Sequence, residues 1–331
     1  MPVSSVRRCP SRSAGPLLFL FVQLLVAWHL SCPQAWAGPG LGFLWQVRGE
    51  KPLYLLGSIH LAEPGLYPLD PALRRAFEAS DVLVVEADVT GPAEERAARL
   101  FMERGMLPAD ERLEQRLSPR TLERLKARGV DLGAFGFMQP WALALMLQSS
   151  ELSRLGYDPN LGVDVHFLRL AHKRGMRVEE LEGLEAQFDL LADMDRREAE
   201  AFLAQTLDEL DAVGSLGKEI VGAWRTGDAR ALEQAIFSET GEDPLAKRIQ
   251  ERIFFERNRT MAARIERYLK DGRAAFVIVG AGHVVGGQGL VALLKQRGHA
   301  LTQVGSAGPE DVIPPKRPAA SATQAGQAPV R

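Results

Sequence analysis

The chain is poor in cysteine: of 331 residues only Cys9 and Cys32 carry a thiol, both near the N-terminus. The rest of the chain therefore has no thiolate nucleophile, no cysteine-based zinc knot and no disulfide framework. An excess of basic charge is also missing. The formal net charge is −2, so a nucleic-acid partner, which calls for a basic surface, is not expected. The apolar run Leu17 to Trp28 is broken by Gln23 and followed by His29 and a polar, proline-bearing stretch. It falls short of the roughly 20 apolar residues of a spanning helix. Stability must come from a packed core, and with 46% hydrophobic residues a domain of this length can bury one.

The first residues do carry a pattern. Arg7, Arg8 and Arg12 precede the apolar run, and Ala35-Trp36-Ala37 stands just before Gly38, which is the three-part layout of a secretory signal peptide. Residues 1–37 are read as that signal, which places the mature protein in an exported, periplasmic setting of a Gram-negative bacterium. Two alternatives stay open: an uncleaved membrane anchor, and lipidation at Cys32. Contact with the membrane is expected only through such an N-terminus. Loss of 1–37 removes three arginines and no acid, moving the net charge from −2 to −5 and leaving 294 residues. Residues 305–331, built mainly of Ala, Pro, Gly, Ser and Gln with few large apolar residues, read as a disordered tail, and residues 38–304 as one domain.

Within that domain, Phe43 to Val47, Leu53 to Leu56, Val82 to Val85, Arg177 to Leu181 and Ala275 to Val279 are short, mostly apolar runs bounded by Gly, Pro or charge, the pattern of strands. Between the second and third lies a helix from Pro71, with Leu73, Ala76 and Phe77 at helical spacing and Asp70 placed to cap it. Strand, helix and strand make a β-α-β unit with a parallel pair. Helices from about Gly162 to Lys173 and from Asp243 to Lys270 precede the fourth and fifth strands. The fold class is α/β, a mostly parallel or mixed sheet with helices packed on it. Residues from about 185 to 270 are largely helical and form an insertion, a lid or a helical half of the domain.

Leu55-Leu56-Gly57-Ser58-Ile59-His60 and Ile278-Val279-Gly280-Ala281-Gly282-His283 each place Gly-x-x-His where an apolar strand ends. As a motif this is weak, since 31 Gly and 6 His supply roughly half an instance by chance. Its position gives it meaning, because groups beyond the carboxyl ends of parallel strands line the ligand crevice of open α/β sheets. The third strand ends at Glu86 on the same edge, with Asp88 on the same face. The fourth leaves Glu182 there, with Glu180 two residues earlier. Two imidazoles with one or two carboxylates suit a divalent Zn, Mn, Co or Fe ion. His60, His283, Glu86 and Glu182 are thus the candidate metal residues, and Glu86 also the candidate base. Arg257, in the helix before the last motif strand, is the candidate cation for an anionic transition state. Asp164 reads as a helix cap, and His166, His172 and His299 as surface residues.

Leu56-Gly-Ser-Ile-His60, Val85-Glu86-Ala-Asp88, Gly162-Val-Asp164, Leu181-Glu182, Glu256-Arg-Asn258 and Val279-Gly-Ala-Gly-His283-Val-Val-Gly286 occur in the order seen in TraB/GumN proteins. From about Phe43 to Val304 the chain resembles that family, which is similar in turn to the Tiki metalloproteases. It departs from the family's usual Thr at Gly183 and usual Asp at Glu256. The resemblance implies an erythromycin-esterase or ChaN-like fold. From the Tiki branch it implies a divalent-metal peptidase using manganese or cobalt on a peptide or other envelope substrate. The expected function is metal-dependent hydrolysis of an amide or ester bond. The alternatives are a non-catalytic periplasmic metal- or haem-binding protein and a metal-free domain that binds a partner.

Overall fold

A computed structural model describes residues 43–60, 62–237 and 243–304. The signal reading of 1–37, both cysteines and the tail 305–331 lie outside the described residues. The centre is a six-stranded mixed sheet. Its strands are β1 (Phe43–Val47), β2 (Leu53–Ser58), β3 (Val82–Val85), β4 (Arg177–Glu180), β5 (Ala275–Gly280) and β6 (Leu301–Gln303), in the order β4-β3-β5-β2-β1-β6. The four strands from β4 to β2 run parallel, while β1 is antiparallel to both β2 and β6. Every residue of β2, β3 and β5 is buried, as expected of parallel strands covered on both faces. β4, at the edge, exposes Arg177 and Glu180, and charge there discourages pairing with another chain.

The expected β-α-β unit is present with one change. β2 and β3 are parallel, but they are not neighbours, because β5 lies between them and pairs with both, Leu53 and Val82 each lying opposite Ala275. The helix between β2 and β3, Pro71–Glu78, starts as read: the Asp70 carboxylate accepts from the Ala72 N–H at 2.6 Å, and Leu73, Ala76 and Phe77 are buried. Phe77 and Phe167 of the Val163–Arg174 helix meet Phe276 of β5 with ring centroids 5.8 and 5.0 Å apart, so aromatic packing fixes both helices to the central strand.

The helical part is larger than the sequence reading. Pro92–Arg104, Pro119–Ala127 and Pro140–Arg154 precede the helices Leu184–Ala192, Arg196–Glu209, Val213–Thr226 and Ala229–Phe237. The stretch read as one helix from Asp243 to Lys270 consists of Pro244–Gln250, a π-helical turn Glu251–Phe255 and Glu256–Lys270. Among the described residues no helix is long and apolar enough to cross a membrane.

Candidate active site

β2 and β5 lie side by side in parallel register, Gly57 opposite Val279 and Ser58 opposite Gly280, so both Gly-x-x-His segments leave the sheet at the same edge. They interlock. A Cβ on Gly57 would stand 2.8 Å from Val284 Cγ2 and 3.2 Å from Ala281 Cα. Glycine in the first segment is therefore what lets the second pass over it.

His60 is backed by Asp164. The Ser58 hydroxyl donates to Asp164 Oδ1 at 2.9 Å, and the Asp164 N–H donates to Ser58 Oγ at 3.1 Å. His60 Nδ1 lies 3.3 Å from the same Oδ1. Gly162 makes this docking close, since a Cβ there would fall 2.5 Å from the His60 carbonyl oxygen. Asp164 is therefore not the cap expected of it, since the N-cap is Gly162 with no side-chain cap bond: its carboxylate is the partner of a histidine 104 positions away. Both groups are buried. Burial works against the charged imidazole, but the Asp164 carboxylate outweighs it and the His60 pKa is raised. Burial likewise opposes ionisation of Asp164, and His60 and Ser58 reverse this, lowering its pKa.

His283 is fully buried, and its partner is neutral. Its Nδ1 lies 2.6 Å from Asn258 Oδ1, and Asn258 Nδ2 donates to the Gln288 carbonyl at 2.8 Å. The amide N–H₂ is thus spent on a carbonyl, so its oxygen must face the ring, and His283 must carry its proton on Nδ1. Nε2 is left as a lone pair, buried and without a hydrogen-bond partner among the described residues. Burial, and then the Arg257 charge, push its pKa well below the ordinary histidine value.

Glu86 stands between the two histidines and an arginine. Its Oε1 accepts the Gly280 N–H at 2.6 Å and faces His283 Nε2 across 3.9 Å. Its Oε2 accepts from Arg257 Nη2 at 2.6 Å and from Gln187 Nε2 at 3.1 Å. Glu182 is kept alongside because its N–H donates to the Glu86 carbonyl at 2.9 Å, and both its carboxylate oxygens are engaged by Arg257, through Nε at 2.9 Å and Nη2 at 2.6 Å. Arg257 leaves the helix just after the π-helical turn and donates Nη1 to the Ile253 carbonyl within it, at 3.1 Å. Burial opposes its charge and the two carboxylates overcome it, raising its pKa.

The structure thus brings together His60, Glu86, Glu182, Arg257 and His283. Asp88 turns away, its carboxylate holding Thr90 and His172, and Glu180 accepts from the Asp88 N–H. Gln187 was not legible as a site residue, although a signal existed. Leu184, Gln187, Phe188 and Leu191 are the buried face of their helix, so Gln187 is a polar residue at an apolar position.

The donor chemistry bears on an ion. Among the described residues no three His, Cys, Asp or Glu side chains form a ready ion-binding group. The imidazoles nonetheless fit one. Each has an oxygen at Nδ1, the arrangement that orients a metal-binding histidine, and His283 Nε2 is an orphaned buried lone pair. Glu86 and Glu182 share the one buried Arg257, and the third buried carboxylate, Asp164, is paired with His60, an excess of negative charge that a divalent cation would balance. Glu182 does not fit as it stands, because Arg257 holds both its oxygens.

Comparison with known proteins agrees with these motifs. The sequence profile of the TraB/PrgY/gumN family matches residues 43–303. The chain is 29% identical to the "Uncharacterized protein YbaP" of Escherichia coli K12 over 182 residues, 54% of this chain and 66% of that protein. It is 22% identical to "Metalloprotease TIKI1" of Danio rerio over 313 residues, 78% of this chain and 62% of the relative. It is 24% identical to "Metalloprotease TIKI2" of Xenopus tropicalis over 314 residues, 78% and 59%. The matches thus span just under two thirds of these relatives' lengths. No solved structure matches.

Proposed function

The chain belongs to the TraB/PrgY/gumN family, and on that premise we propose that it is a divalent-metal-dependent hydrolase of amide or ester bonds, peptidase-like, acting in the cell envelope. One observation carries the reading. Two imidazoles from adjacent parallel strands are each oriented by an oxygen at Nδ1, and the unpartnered His283 Nε2 faces Glu86 Oε1 across 3.9 Å. That gap exceeds a hydrogen bond, so the Nε2 lone pair is not spent on the carboxylate.

His60 and His283 would hold the ion through the ring nitrogens remote from Asp164 and Asn258. When bound, it supplies Lewis-acid polarisation of the scissile carbonyl and acidifies water. Nitrogen and oxygen donors without thiolate admit manganese, cobalt, zinc or iron, and the likeness to the Tiki metalloproteases favours manganese or cobalt. Asp164 makes the His60 ring a better electron donor, and Asn258 fixes the His283 tautomer. Glu86 is the base. Its Oε2 is pinned by Arg257 and Gln187, so the proton from water is taken by Oε1. Arg257 keeps Glu86 in place as a counter-ion. To meet an oxyanion, the role its sequence position suggested, it must exchange one carboxylate contact for the substrate. Glu182 would join the ion only by releasing Arg257.

The test is hydrolysis of quenched-fluorescent peptides and of ester substrates by the purified full chain. Turnover is expected with added manganese or cobalt and none after chelation, in His60→Ala or in His283→Ala. Activity unchanged in either variant removes the proposal. A Soret band on haem addition, lost in His60→Ala and accompanied by no hydrolysis, would instead establish the non-catalytic haem-binding reading.

A further inference from the structure

The helix Val213–Thr226 lies across the carboxyl end of β2. Trp224 Nε1 donates to the Gly57 carbonyl at 2.6 Å, and the next residue, Arg225, donates to the Gly65 carbonyl. Between this helix, the turn that follows His60 and the end of the Pro140–Arg154 helix runs a groove of about 780 Å³. Ala62, two residues beyond His60, is part of its wall.

Four lining residues, Lys218, Val221, Gly222 and Arg225, recur at the spacing of one helix face. Gly222 is the informative one. Glycine is the least favourable residue after proline in a helix interior, and the fold gives no reason for it here: its φ is not positive, and a Cβ would meet nothing within 4 Å. The space it leaves belongs to the groove. Leu155, also in the wall, is one of three exposed large apolar side chains among the described residues. Tyr157 lines the groove while only 4% exposed. Burial, and then the charge of the Glu63 carboxylate and its hydrogen bond with the phenol, push its pKa up to about 12, so Glu63, the groove's one acid, is turned towards Tyr157. Lys218 has no ion-pair partner among the described residues. With Arg225 it gives the groove two cations against the single acid Glu63.

We propose that this groove seats the substrate of the hydrolytic site: an extended peptide that lays an apolar side chain over Leu155 and Gly222 and offers an acidic group to Lys218. The assignment of the occupant as substrate rests on the hydrolase reading above. The groove's chemistry, apolar with surplus positive charge, is independent of it.

Binding tests it apart from turnover. Two fluorescently labelled decapeptides with the same leucine-containing centre, one flanked by glutamates and the other by lysines, are titrated by anisotropy into the chelated full chain. The glutamate-flanked peptide is expected to bind at least about tenfold more tightly. Gly222→Phe, which fills the groove, should weaken it by a similar factor, and Lys218→Glu should abolish the preference. Gly222→Ala is the folding control, expected to melt higher than the parent and to weaken binding less than Gly222→Phe. Equal binding of the two peptides, or parental affinity in Gly222→Phe, overturns the groove. Selective binding lost in Gly222→Phe, in a protein that hydrolyses nothing with any metal, upholds the groove and sinks the hydrolase reading alone. Metal-dependent hydrolysis undiminished by Gly222→Phe overturns the groove alone.

Discussion

The two histidine segments look alike in sequence and differ in what stands behind them. His60 at the end of β2 is backed by a carboxylate, Asp164, and its pKa is raised; His283 at the end of β5 is backed by an amide, Asn258, and its pKa is depressed. Both rings are buried, so burial pushes both towards neutrality and the neighbour decides the outcome. A carboxylate at Nδ1 makes an imidazole that tolerates a proton or donates strongly to an ion. An amide pinned by a carbonyl makes one that stays neutral with its lone pair fixed in direction. The pair supplies one strong donor and one rigid donor at a single edge.

Arg257 is where this contrast can be broken most forcefully. It is the buried counter-ion of Glu86 and Glu182 and the second cause, after burial, of the depressed His283 pKa. Arg257→Met leaves two buried carboxylates without a cation and should cost about 3–5 kcal/mol of stability, measured by urea unfolding at neutral pH. In the variant the His283 pKa should rise towards that of His60, visible in the ring-proton titration by NMR. A variant as stable as the parent would mean that the carboxylates are not held by this charge.

A smaller effect tests whether the segments form one unit. Gly57→Ala puts a methyl group against Val284 and the backbone of Ala281, and overpacking of this kind costs about 1–3 kcal/mol. Because the atoms it strikes belong to the His283 segment, its damage should reach that histidine. Metal affinity is expected to fall with stability, the first read by calorimetric titration with manganese and the second by thermal unfolding of the chelated protein. Stability lost with affinity intact would show that the interlock is only packing.

The local half of this arrangement was legible in the sequence. The apolar runs ending at Leu56, Val85 and Val279 located their strands, and their order with the intervening helix gave one shared edge for His60, Glu86 and His283. The long-range half was not. Placement of β5 between β2 and β3 depends on sheet-wide pairing that no local period encodes. The short edge strand β6 has only three residues, too few for an alternation to show. Asp164 was misjudged because an acid in the first turn of a helix is already explained by the dipole. Its link to His60 comes from Gly162, whose missing Cβ lets the helix approach the His60 carbonyl.

The smallest predicted effect separates the two histidines by pH in chelated protein. His60, with its folded pKa raised above the usual 6.5, contributes stability that is complete below about 6.5 and is lost as pH rises through the folded value. His283, with its folded pKa depressed, has the opposite sign: its contribution is present above about 6.5 and is lost as pH falls from there towards the folded value, because the unfolded state then binds the extra proton. Unfolding midpoints taken from pH 5 to 9 should therefore lose their decline above 6.5 in His60→Gln and part of their decline below 6.5 in His283→Gln. Asp164→Asn is the sharper version. Without the Asp164 carboxylate, burial becomes the dominant influence on His60, with the Glu86 and Arg257 charges opposing each other; its pKa should drop below 6.5, and its contribution should move from the alkaline limb to the acid limb. If the alkaline limb survives Asp164→Asn unchanged, the difference between the two histidines does not come from their Nδ1 partners.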